Sequence, residues 1–139
     1  MKRIVVGIDG SEQGWSALTK AAELARSTGA GLQIAHISPL ATSPLAEYQV
    51  NAGWAEAQER FSQGLLRDAV ARVKDAGVEV SAVSKIGATA ETLAELAQPA
   101  DVTMAVVGHR GRNLASRLLV GSVADRLVQI SPKPVLVIR

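Results

Sequence analysis

Five short apolar runs alternate with stretches of helical period along this chain, and that alternation restricts the fold more than any other feature. The runs are "RIVVGID" (Arg3–Asp9), "LQIAHIS" (Leu32–Ser38), "VEVSAVS" (Val78–Ser84), "VTMAVVG" (Val102–Gly108) and "PVLVI" (Pro134–Ile138). The first is β-branched and nearly continuous, as a strand covered on both faces should be. The third alternates. Between the runs lie four helical patterns. Ser11 is placed as an N-cap before an apolar stripe of Trp15, Leu18, Ala21, Ala22 and Ala25, which Gly29 and Gly31 close. Residues Pro39 to Gly53 carry two prolines and read as a connecting loop. A long helix is expected from about Trp54 to Ala76, with Trp54, Ala57, Phe61, Leu65, Ala69 and Val73 on one face and Gly77 as its stop. "ATAETLAELAQ" is a short third helix, and Ser122 to Ile130 a fourth.

Strand and helix in strict alternation predict a parallel sheet with helices on both faces, linked by right-handed crossovers. The expected fold is a single-domain, three-layer α/β/α sandwich, Rossmann-like, with a five-stranded parallel sheet in the order 3-2-1-4-5. The length of 139 residues suits one domain, residues 1–139, with one core. Only 3% of residues are aromatic, so that core has to be aliphatic. A net charge of +2 is too mild for a nucleic-acid-binding face. With no cysteine, disulfide scaffolds, thiolate metal sites and cysteine nucleophiles are excluded. The apolar run near the N-terminus breaks at Asp9, too soon for a signal sequence or a membrane span, and the chain reads as soluble and cytoplasmic.

In a sheet of this order the winding reverses between strands one and four, and ligands bind outside the strand carboxyl ends at that reversal. The loops there are Gly7–Ser11 and Gly108–Gly121. The second reads "GHRGRNLASRLLVGS", with glycines at 108, 111 and 121 and arginines at 110, 112 and 117. Glycine lets main-chain N–H groups approach a ligand closely. Ser122 is expected as the N-cap of the fourth helix, whose first turn favours negative charge. Two readings stand on spacing alone. One is a cradle for a chain of phosphates, with charge-assisted contacts from Arg110 and Arg112; the other is an ordinary loop that ends a strand and starts a helix.

The same residues resemble the G-2x-G-9x-G-S/T motif of the ATP-binding branch of the universal stress protein family. "RIVVGIDGSE", "IAHI" and "SPKPVLVIR" resemble that family's first, second and last strands, and the similarity runs the length of the chain. The resemblance implies ATP, carried with Mg2+, at the switch point, and a homodimer through the C-terminal strand. It implies that Gly108, Gly111, Gly121, Ser122 and Val123 hold phosphates. His109 and Arg112 would reach ribose or phosphate, Asp9 and Ile37 would contact adenine or ribose, and Val107 would line the pocket. The chain departs at Gly7, often proline in the family, which implies a looser wall on the adenine side. It departs again at Ala124, often a hydroxyl residue, which removes one phosphate donor.

Other features have simpler accounts. Asp9 also suits the turn "DGSE", and His36 in its strand reads as a packed neutral histidine. Trp15, Trp54 and Phe61 fit core faces. No G-x-x-x-x-G-K-S/T, G-x-S-x-G or H-E-x-x-H occurs. The expectation is therefore an adenine-nucleotide-binding regulatory or stress-response module with slow ATPase activity at most. The alternative is a nucleotide-free dimeric scaffold of the same fold. A flavodoxin-like carrier is disfavoured because few aromatics are available to sandwich a flavin, and no structural metal is expected. Strand five would be a sheet edge, which pairing with a second copy would cover.

Overall fold

Side chains alternate between the two faces of a strand, and here the two faces collect separate aliphatic clusters. The computed structural model describes residues 1–39, 52–109 and 121–139. Within them the elements are β1 (Arg3–Gly7), α1 (Glu12–Thr28), β2 (Gly31–Ser38), α2 (Ala52–Val73), β3 (Val80–Ile86), α3 (Thr89–Leu96), β4 (Val102–Gly108), α4 (Ser122–Ile130) and β5 (Val135–Ile138). The sheet order is β3-β2-β1-β4-β5 with every pair parallel, as the alternation predicts.

On one face Ile4, Val6, Ile8, Leu32, Ile34 and Val106 meet α1 through Ala17, Leu18, Ala21, Ala22 and Ala25, and α2 through Leu65, Leu66, Ala69 and Val73. On the other, Val5, Ala35, Ile37, Ala105 and Val107 meet Ala90, Leu93 and Ala94 of α3, and Ala124 and Leu127 of α4. β1 lies at the centre of the sheet, so Ile4, Val5 and Val6 are all buried. That is why its sequence is a continuous apolar run rather than an alternating one.

Boundaries shift by a few residues. β1 ends at Gly7 rather than Asp9, although the Ile8 N–H still donates to the Ala35 carbonyl at 3.0 Å. β3 starts two residues later than the sequence pattern places it. Gly29 alone closes α1. It sits in the left-handed region at φ 72°, and the Ala30 N–H donates to the Ala25 carbonyl at 2.9 Å, as in a Schellman motif. Gly31 instead begins β2.

The α2 stripe needs a larger correction. Leu65, Ala69 and Val73 are buried, but Ala57 is exposed and Phe61 is 44% exposed. Trp54 is half-buried. The first turns of α2 stand beside the cavity described below instead of over the sheet, so helical spacing there marks no core. Trp15 has a different role from simple core filling. It packs against the first cluster while the Arg72 guanidinium stacks 3.9 Å from its ring centre, which ties α1 to α2.

Candidate functional site

A cavity of about 510 Å³ opens at the strand carboxyl ends, where the winding reverses between β1 and β4. Its walls come from the β1–α1 turn, the ends of β2 and β4, α3, and the first turn of α4.

The β1–α1 turn is built by side-chain hydrogen bonds. The Ser11 N–H and hydroxyl both donate to Asp9 Oδ1, at 3.0 and 2.6 Å. Ser11 Oγ in turn accepts from the Gly14 N–H at 3.0 Å, which makes Ser11 the N-cap of α1, as its position predicts. Gly10 takes the positive φ of 86° that the turn requires. Gly14 leaves room for the network, since a Cβ there would sit 2.9 Å from Asp9 Oδ1. Asp9 thus serves the turn and also lines the cavity.

At the end of β4, Gly108 is required by packing. A Cβ there would lie 2.9 Å from the carbonyl carbon of Gln13 and 3.0 Å from its oxygen, both backbone atoms of α1. His109 follows, buried, with its N–H donating to the Ile138 carbonyl. Its own carbonyl accepts from the Gly121 N–H at 2.7 Å. This bond joins the two ends of the 110–120 segment at one point beside the cavity.

Gly121, not Ser122, is the N-cap of α4. Its backbone is extended, at φ −62° and ψ 153°, and no side chain caps the helix. Ser122 is the first helical residue and is exposed. The helical ladder begins with the Asp125 N–H donating to the Gly121 carbonyl at 2.9 Å. The N–H groups of Ser122, Val123 and Ala124 precede it and have no acceptor within the helix. Ser122, Val123 and Ala124 all line the cavity. The end of α4 therefore presents main-chain donors and the positive end of its dipole there.

Of the residues named from the sequence, Asp9, Ile37, Val107, Gly108, His109, Gly121, Ser122 and Val123 surround this one cavity. Gly111 and Arg112 lie outside the described residues, as do Arg110 and Arg117. The wall at Gly7 is not loose. A Cβ at Gly7 would come within 2.8 Å of Leu93 Cδ1 and 3.5 Å of Val107 Cγ1, so Leu93 occupies the space that a larger residue at position 7 would fill. Leu93, Thr89, Gln58, Phe61 and His36 also line the cavity and were not anticipated. Only His36 had a signal, as a polar residue beside Ile37 at the carboxyl end of an inner strand. The other four come from helices whose docking the sequence does not specify. Among the described residues, no cluster of three or more His, Cys, Asp or Glu side chains could hold a metal ion.

Residues 1–139 match the universal stress protein family model. The chain belongs to the universal stress protein family. A universal stress protein of Mycolicibacterium smegmatis is 33% identical over 139 residues, covering 98% of this chain and 96% of that one. The universal stress protein YxiE of Bacillus subtilis is 28% identical, covering 99% and 98%. Among solved structures, UspA from Lactobacillus plantarum superposes with a TM-score of 0.87 at 22% identity, covering 99% of this chain and 97% of that one, a likeness of fold. A universal stress protein solved in complex with cAMP has a TM-score of 0.77 at 28% identity, covering 99% and 97%. Among the described residues no helix is long and apolar enough to cross a membrane.

Proposed function

We propose that this universal stress protein binds an adenine nucleotide, ATP carried with Mg2+, in the cavity at the switch point, and acts as a regulatory or stress-response module in the cytoplasm. The observation that carries the reading is the Gly121 N–H bond to the His109 carbonyl. It brings both ends of the glycine-bearing loop beside the open amino end of α4, a combination suited to a polyanion. A volume of about 510 Å³ is in the range of small-molecule sites. Ile37, Val107 and Leu93 offer an apolar wall for a purine, and the complex of a relative with cAMP supports an adenine ligand. Gly108, Gly111, Gly121, Ser122 and Val123 would hold phosphates, with Arg112 and His109 alongside. Asp9 would reach ribose or the cation through the carboxylate oxygen that Ser11 does not use. Mg2+ would arrive on the phosphates. Hydrolysis needs an oriented water as well as a cradle, and slow turnover at most is expected.

Thermal melts test this directly. With a Kd near ~10 μM, ~1 mM Mg-ATP stabilises by about 2.7 kcal/mol. That raises Tm by roughly 2–4 °C per kcal/mol. Gly121→Val, which puts a branched side chain in the phosphate path, should remove the shift while leaving the circular dichroism spectrum intact. Absence of any shift in the unaltered protein would favour the nucleotide-free scaffold. A homodimer through β5 is part of the proposal.

A further inference from the structure

Phe61 is the only phenylalanine of the chain, and it lines the cavity while 44% exposed. The next residues of α2 turn the other way. Ser62 is fully buried, and Leu65 and Leu66, one turn on, pack into the core. Among the described residues the exposed large apolar side chains are Met1, Phe61, Ile86 and Val128, and of these Phe61 alone lines the cavity. An aromatic ring left partly in water forgoes the stabilisation of burial until something covers it.

The surroundings of the ring fix where it stands and what suits it. It meets the His36 ring edge to face at 5.7 Å, which places it near the carboxyl end of β2. Gln58, one turn earlier on α2, lines the same cavity and brings an amide with both donor and acceptor. An apolar ring beside an amide suits a flat ligand with apolar faces and a polar rim, as a nucleobase has. β2 lies two strands from β4, a separation of about 10 Å. A nucleotide with its phosphates at the amino end of α4 and its body laid across the strand ends therefore carries its base toward Phe61. We infer that the Phe61 ring is the platform on which the base of the bound nucleotide packs. The inference rests on the nucleotide reading and adds to it a contact from α2, outside the glycine motif. Stacking uses the π-face that every base has, so this platform separates nucleotides from bare polyphosphate.

With a single phenylalanine in the chain, a sample labelled with carbon-13 phenylalanine shows one ring by NMR. Calorimetry establishes first whether Mg-ATP binds. At saturating Mg-ATP the Phe61 ring protons should then show nuclear Overhauser contacts to adenine H2 or H8. Phe61→Ala should weaken ATP binding about tenfold, within the range for base–aromatic stacking. Phe61→Tyr, which keeps the ring, should restore the affinity. If Phe61→Ala does not fold, the labelled ring of the unaltered protein decides the matter by itself. A ring without contacts to the bound base, or a folded Phe61→Ala that binds ATP as tightly as the unaltered protein, overturns the inference. In either case ATP still binds, and this inference falls alone. If calorimetry shows no binding of ATP to the unaltered protein, the nucleotide reading falls and takes this one with it.

Discussion

Glycine carries two different messages in this chain, and only the contacts around each residue separate them. A Cβ at Gly108 would lie 2.9 Å from the backbone of Gln13, which is not the end of a flexible side chain. Gly108→Ala is therefore expected to destabilise by about 1–3 kcal/mol, the usual cost of overpacking. It should lower the urea midpoint at unchanged slope, whether or not nucleotide is present. Gly64, inside α2, has nothing within 4 Å of its missing Cβ. Its replacement by alanine serves as the control and should stabilise by up to about 1 kcal/mol. Both are glycines in regular elements, and the spacing that singled out Gly108 as a phosphate contact said nothing of Gln13. The reading of Asp9 as a turn residue was open to sequence because its partner, Ser11, is two positions away. The filling of the Gly7 wall was hidden because Leu93 comes from a helix 86 positions further on.

The helices differ in how their ends are finished. Ser11 caps α1, whereas α3 begins at Ala88, an exposed residue with extended backbone at φ −71° and ψ 124° and no side-chain cap. Ala88→Ser should supply the missing acceptor and raise stability by about 0.5–1 kcal/mol, read as a higher midpoint of chemical unfolding. α3 and α4 are strapped together by Arg126 Nε and Glu91 Oε1 at 3.0 Å. The hydrogen bond from Arg126 holds the Glu91 carboxyl below the usual carboxylate range. A carboxyl whose folded value is depressed adds stability above its unfolded value and loses it as pH falls through the folded one. The pair is about half exposed, so the contribution is small. Arg126→Ala should move the Glu91 titration upward in an NMR pH series, with little change in Tm at neutral pH. Periodicity located α3 and α4, but the Arg126–Glu91 contact spans 35 residues and depends on how the two helices dock.

At the scale of the molecule the element to test is β5, the last strand of the sheet beyond β4. The Ala105 N–H donates to the Pro134 carbonyl and the His109 N–H to that of Ile138. In a parallel ladder inward-bonding residues alternate along the strand. Leu136 and Ile138 therefore bond to β4, while the Val135 and Val137 N–H groups point away from it. Leu136 and Ile138 pack into one core cluster and Val135 and Val137 into the other, so cutting the strand away would open both. Val137→Pro is the milder change, because it removes an outward donor and keeps the pairing to β4. If the proposed homodimer forms through this edge, sedimentation velocity should show a dimer for the unaltered chain and a monomer for Val137→Pro. A dimer that survives the substitution would place the interface elsewhere.

The order of elements, the class of sheet and the crevice where a ligand would sit follow from the chain alone. They depend on local periodicity and on the handedness of βαβ connections, both written into neighbouring residues. Tertiary structure decided which glycine spares a backbone and which helix end is capped. It also decided that the first turns of α2 border a cavity, and that His36 bonds to a serine 26 positions away. Such contacts join residues from separate elements, and their distances depend on how whole helices settle on the sheet, which no single stretch of sequence encodes.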